Sequence, residues 1–280
     1  MKDLKYYSEL VSKLLEKRNF YTDKDVLRSI FRNTSQIYSK TSILSRLTFL
    51  DIVYSTQMNK RYYGLEALSE KIFETFNNDQ SAIESFKEFA KNPVEGKVLN
   101  LFDSNYGIHM NGNNAGKAIS LISKYAYFLT DYQFPIYDSI VKEMYPKVVA
   151  KYYPELQNES INLDKIESFV SAINSLNQIS KIHNYDKLDS LLWLTGKINE
   201  GNISLILNRN EYEEISKSLS LKELLAESTK NVKEEKARDK NSKAKTIKVN
   251  SIFKERIIHG KCELKDSRIN DFCEFVRSIQ

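Results

Sequence analysis

The chain has 280 residues, 41% of them hydrophobic and 28% charged, with a formal net charge of +5, a length sufficient for one large domain or two modest ones with a well-buried core. Its two cysteines, Cys262 and Cys273, exclude a disulfide scaffold, a four-cysteine zinc site and a four-cysteine iron–sulfur site, and no run approaches the roughly 18 apolar residues of a membrane helix. Ten Lys or Arg against four acids lie between Lys230 and Arg256, so the basic surplus is local, the rest of the chain sums to −1, and bulk charge assigns no nucleic-acid role.

Charges run throughout the first twenty residues, so no secretory signal is expected there and a reducing cytoplasm is the expected compartment. Leu4, Tyr7, Leu10, Val11 and Leu14 recur at helical spacing. Ile43, Leu47, Leu50, Val53 and Tyr54 predict a second helix over 41–55, and further stripes run through 65–76, 83–89, 119–129, 140–149, 166–176 and 188–198. Gly and Pro are scarce, eight and four, and turn dipeptides between alternating strands are missing. The expected fold class is all-α.

Gly107, Gly112 and Gly116 fall close together, and GIHMNGNNAGKA reads as a tight, backbone-exposed turn between helices. A second break, TDYQFPIYD, follows the next helix: Pro135 disfavours helix at Phe134, and Asp138 suits the N-cap of a helix starting at Ser139. The expected organisation is a main helical domain over 1–225, a basic flexible linker over 226–250 and a helical extension over 251–280. In that extension Ile252, Phe253, Ile257, Phe272, Phe275 and Val276 can dock on the main body.

Three segments stand in order: VYSTQM, MNGNNAGKA and FPIYDS. Over roughly residues 40–200 this set resembles the helix-hairpin-helix DNA glycosylase superfamily, the endonuclease III-like fold. In that family a hairpin of the form L-P-G-V-G-x-K-T-A opens a helix, the next helix begins at an Asp in a V-D-T-H-like setting, and an L-S-A-Q-like helix end supplies a Gln wedge. SLISKY, FPIYDS and LDSLLWLTGK are similar to the SFASK-like, FPIYDS and LLWLTGK-like segments of a bacterial subgroup. Two departures are plain: Asn114 stands at the family's second Gly and Asn111 at its Pro.

The resemblance implies a two-lobed helical domain with a cleft between the lobes and double-stranded DNA as partner; no membrane, cofactor or metal is expected, since no apolar run suits a membrane helix, the cysteines are too few for the iron–sulfur cluster found in part of the family, and His183 and His259 have no ligand-spaced companions. It implies that Asp138 stabilises the positive charge that builds on the deoxyribose as an N-glycosidic bond breaks, and orients water; read without the family, Asp138 is an N-cap, and the two roles are compatible. Lys117 and Lys124 are the candidate amines for a Schiff base and associated strand cleavage, with a hydrolytic enzyme preferred. Gln57 matches the wedge that fills the gap left by a flipped base. Gly112, Asn113, Asn114 and Gly116 are candidates to present backbone N–H groups to phosphate, the glycines by accepting φ > 0. Arg46, Lys60 and Arg61 are near enough in sequence for phosphate contact. Tyr54, Tyr125 and Tyr137, with His109, are candidate base-pocket residues, whereas Trp193 reads as core.

The resemblance leaves two substrate classes open. One is an oxidised or alkylated base met in repair; the other is a bulky modified cytosine of phage DNA, such as glucosylated hydroxymethylcytosine, excised in antiviral defence. The divergent hairpin and the C-terminal extension favour the second. A catalytically silent helix-hairpin-helix DNA-binding module is the alternative, and a helical interaction protein without a nucleic-acid role is a further one.

Overall fold

Apolar stripes and their caps account for the architecture of the computed structural model, which describes residues 2–16, 22–33, 38–109, 112–113, 116–157, 161–202, 205–211, 213 and 266–280. The α-helices are α1 (Leu4–Glu16), α2 (Thr22–Asn33), α3 (Lys40–Tyr54), α4 (Gly64–Thr75), α5 (Asp79–Lys91), α6 (Lys97–Asp103), α7 (Ile119–Leu129), α8 (Ser139–Tyr152), α9 (Ile166–Ile179), α10 (Tyr185–Asn199) and α11 (Ser267–Ser278). Among the described residues extended backbone pairs at just two isolated bridges, Tyr62 with Ile108 and Asn105 with Lys117. The all-α expectation holds. No helix among these residues is long and apolar enough to cross a membrane.

Every predicted stripe lies on a helix. Two helices show no stripe in the sequence: α2 buries Leu27 and Phe31 one turn apart among charged residues, and α6 is about two turns long. The helices form two packed groups. In the first, α1 and α8 pack on α10, and α11 adds to α1 and α10. Tyr7 of α1 meets Phe275 at 4.6 Å between ring centroids, and Tyr152 of α8 meets the same ring at 5.6 Å. Each such pair is worth about 0.5–1.5 kcal/mol beyond its buried area. Phe272, Phe275 and Val276 therefore dock on the main body as expected, while Ile252, Phe253, Ile257 and the 226–250 linker lie outside the described residues.

The second group runs from α2 to α7, and α9 touches both groups. α3 opens with a capping box between Ser39 and Ser42, and α5 with one between Asn78 and Ser81. Arg46 and Asp79 join these two helices through a bidentate bridge at 2.8 and 2.7 Å, with Arg46 wholly buried and its guanidinium 5.3 Å from the Phe31 ring. This corrects the expectation of Arg46 at a phosphate: its fork is consumed inside the protein. Arg46→Ala leaves Asp79 buried and uncompensated, an expected loss of about 3–5 kcal/mol in urea unfolding. Arg46→Met with Asp79→Leu is expected to recover most of that loss.

Two local features fix where the second break in the chain stands. Phe134 is buried and stacks on Phe102 and Phe89 at 6.0 and 6.3 Å, which locks the segment between α7 and α8. A Cβ at Gly196 would lie 2.1 Å from Ile140 Cγ2, so only glycine lets α10 pass this close to the first turn of α8. Asp138, two residues before Ile140, is placed by that contact.

Candidate functional site

The break before α8 delivers Asp138 as its N-cap. The backbone is extended there (φ −132°, ψ 142°), and the carboxylate accepts the Ile140 N–H at 2.8 Å. The Tyr137 N–H donates to Ser123 Oγ at 2.9 Å, tying this entry to α7 one residue before Lys124. Asp138 then lines a cleft of about 560 Å³ together with Ser120 and Lys124 of α7, Tyr54 at the end of α3, and Gln57 in the loop that follows. His109, Lys60 and Arg61 complete one wall; Tyr137, Ser139 and Lys142 complete another.

Lys124 is 3% exposed, yet it reaches this cleft. Its Nζ donates to Ser120 Oγ at 2.6 Å and sits 5.3 Å from the centre of the Tyr54 ring. Burial holds the amine below the usual lysine range, against the pull of Asp138 and Asp189. Tyr54 shifts upward for the same reason, burial of a group whose ionised form needs water. Lys142 Nζ donates to Tyr137 Oη at 3.0 Å and pairs with Asp164 at 2.6 Å, and the Tyr137 ring stands edge-on to Phe169 at 5.1 Å.

Gln57 is exposed at the rim, in left-handed backbone (φ 62°), between Ser55 (φ 50°) and Tyr63 (φ 58°). Three such residues in one loop need something to hold them. Asp51, buried on α3, supplies it: one carboxylate oxygen accepts from Thr56 Oγ1 and from the Met58 N–H at 2.8 Å, and the other accepts the Asn59 N–H at 2.9 Å.

Between α6 and α7 the glycine segment closes on itself at the Asn105–Lys117 bridge and docks through Tyr62–Ile108. Gly112 has φ 81°, the positive value expected of it, but Gly116 does not have positive φ. The His109 N–H donates to Asn113 O at 2.8 Å and the Gly112 N–H to His109 O at 2.9 Å, so these two amides are used within the turn. Asn111 and Asn114 lie outside the described residues. Arg61 Nη1 donates to the Gly116 carbonyl at 2.6 Å, joining the Gln57 loop to this segment.

Of the two candidate amines, the cleft receives one. Lys117 pairs with Asp103 at 2.6 Å, both about half exposed, and does not line it. Tyr125 is corrected as a base-pocket residue. One position after Lys124 on α7, it turns about 100° away and is fully buried against Phe31, near Arg46 and Asp79. Tyr54, Tyr137 and His109 do line the cleft, and Trp193 is partly buried against the core.

Sequence reasoning missed the charges behind the cleft. Lys24 of α2 pairs with Asp186 at 2.5 Å, and Tyr127 Oη donates to the same carboxylate. One turn from Asp186 on α10 is Asp189, which interacts electrostatically with Lys24, Asp138, Asp186 and Lys124. Burial chiefly pushes Asp189 up to about 7; Asp138 and Asp186 add to this and the two lysines oppose it. Because the folded value lies above the unfolded one, the folded chain holds this proton more tightly, and the associated stability is lost as pH rises from about 4 through 7. Asp189→Asn is therefore expected to raise the melting temperature at pH 8 and to leave it nearly unchanged at pH 4. The readable signal was an acid beside Leu188, Leu191 and Leu192 in an otherwise apolar stretch. Ser120 was readable too, four residues before Lys124 on one helix face.

Among the described residues no cluster of three His, Cys, Asp or Glu side chains is placed to hold a metal ion. The chain matches no model of a known protein family, no curated protein and no solved structure.

Proposed function

We propose that the chain is a DNA glycosylase that extrudes a modified base from duplex DNA and cleaves its N-glycosidic bond. The observation that carries this reading is the meeting of Asp138, Lys124 and Gln57 on one cleft, from three segments spread over more than 80 residues. Asp138 is fixed in direction by its cap bond and adjoins a buried amine, so the cleft holds an anion suited to a developing oxocarbenium charge. Gln57 stands exposed at the rim on a loop braced from beneath by Asp51, where an amide can take the place of an extruded base. Lys60 and Arg61 on the same rim suit phosphate contacts, which position DNA without reading sequence.

The substrate class we favour is a cytosine enlarged by a sugar, as in glucosylated hydroxymethylcytosine of phage DNA. The support is room and chemistry: about 560 Å³, with Ser120, Ser139 and Lys142 offering polar contacts to hydroxyl groups. Mass spectrometry of bases released from several duplex DNAs tests both parts. Release of the glucosylated base is expected. Release of 8-oxoguanine alone would move the reading to repair, and DNA binding without any base release would replace it with a silent binding module.

A further inference from the structure

Tyr63 occupies a position that local stability disfavours in three ways. Its φ of 58° and ψ of 16° lie in the left-handed region, which costs a non-glycine residue about 1–2 kcal/mol. It is the N-cap of α4 yet makes no side-chain cap bond, where Ser, Asp or Asn would. And it is 72% exposed, so its ring gains little from burial. Beside it Tyr62 is 56% exposed and Ile108 39%. Large rings held out in water at a strained position call for a partner.

The mounting of these rings is firm. Tyr62 and Ile108 exchange both backbone hydrogen bonds, at 2.9 and 3.0 Å. Gly107 (φ 78°) is packed so closely that a Cβ there would lie 2.7 Å from Gly64 Cα and 2.8 Å from Tyr62 O. Gln57 and Arg61, of the same loop, line the cleft, so the ridge is continuous with its rim. The two segments that meet here, 55–63 and 105–117, contain no Asp or Glu; Lys60 and Arg61 stand on the cleft rim, while Lys117 is paired with Asp103. Exposed aromatic faces flanked by cations are a stacking platform for nucleobases beside phosphates.

We infer that Tyr62 and Tyr63 form a stacking ridge for duplex DNA opened at an extruded nucleotide, with Tyr63 against the base next to the gap and Gln57 beside it. The inference rests on the preceding functional reading for its partner. It adds that the strain at Tyr63 is kept for binding and not for folding.

Tyr63→Asn tests it, because Asn accepts left-handed backbone and relieves the strain. The expected result is a melting temperature equal to or above that of the parent chain. Affinity for a duplex bearing a tetrahydrofuran abasic analogue is expected to fall at least about fivefold, the low end of a lost base stack. In the parent chain the same duplex is expected to protect Tyr62 and Tyr63 from nitration by tetranitromethane. If the parent chain binds the duplex and Tyr63→Asn binds it equally well, or the two rings stay reactive in the complex, the ridge is wrong while the functional reading stands. A lower melting temperature for Tyr63→Asn would make Tyr63 a folding residue and overturn the ridge. Absence of any duplex binding by the parent chain would overturn both.

Discussion

Asp138→Asn is expected to slow base release by about 10²–10⁴-fold while leaving the affinity for duplex DNA and the melting temperature nearly unchanged. The substitution separates the structural job of this side chain from the catalytic one proposed for it. The first is structural: an oxygen accepts the Ile140 N–H and starts α8. Asn supplies the same oxygen at the same reach, and it ranks with Asp as an N-cap, so the helix start survives. The second job needs negative charge facing the cleft, and Asn has none. If the acid is merely a cap, Asn and Asp perform alike and the rate of base release does not move. Asp138→Ala is the contrasting variant: it loses the cap as well, with an expected cost of about 1 kcal/mol in stability. A rate loss shared equally by both variants, with only Ala destabilised, assigns the effect to charge. Base release is read by mass spectrometry of free bases and affinity by titration of a labelled duplex.

Much of the fold was legible because burial follows a 3.6-residue period. The stripes at 43–54, 119–129 and 188–198 lie on α3, α7 and α10. α2 was hidden because two buried side chains, Leu27 and Phe31, make no stripe among charges, and its place comes from packing on α3 and α7. The cleft was legible where a residue type is tied to backbone geometry: Asp138 at a helix start after Pro135, Gln57 at a helix end. It was not legible where a partner distant in sequence decides the outcome. Arg46 looks like a surface cation until Asp79, 33 residues on, takes its fork. Lys117 looks like the first-turn amine until Asp103 claims it. Tyr125 and Lys124 are adjacent in sequence, and only packing shows which of them turns to the core and which to the cleft. The glycine segment announced a turn, but not that the His109 and Gly112 amides would be used within it.

That same packing makes Lys124 the amine on which a covalent adduct is expected. Attack on C1′ of an abasic sugar needs an unprotonated amine that faces the cleft; loss of water then gives an imine, which borohydride reduces to a stable secondary amine. Lys124 lines the cleft beside Asp138, and burial lowers its proton affinity, which favours the free amine. Borohydride trapping on an abasic duplex is expected to mark Lys124 in peptide mapping. Lys124→Met is expected to abolish the adduct without destabilising the fold, since Met keeps an apolar stem near Tyr54 and removes a buried polar group. Lys117→Ala, which breaks only an exposed ion pair, is expected to leave the adduct intact. The yield should rise with pH as the amine loses its proton, and level off below the pH at which an ordinary lysine titrates. An adduct on Lys117 would reverse the assignment of the two lysines. Base release without any adduct would leave water, oriented by Asp138, as the nucleophile, and Lys124 would then act through its charge alone. Persistence of base release in Lys124→Met at the parent rate would remove it from the chemistry altogether.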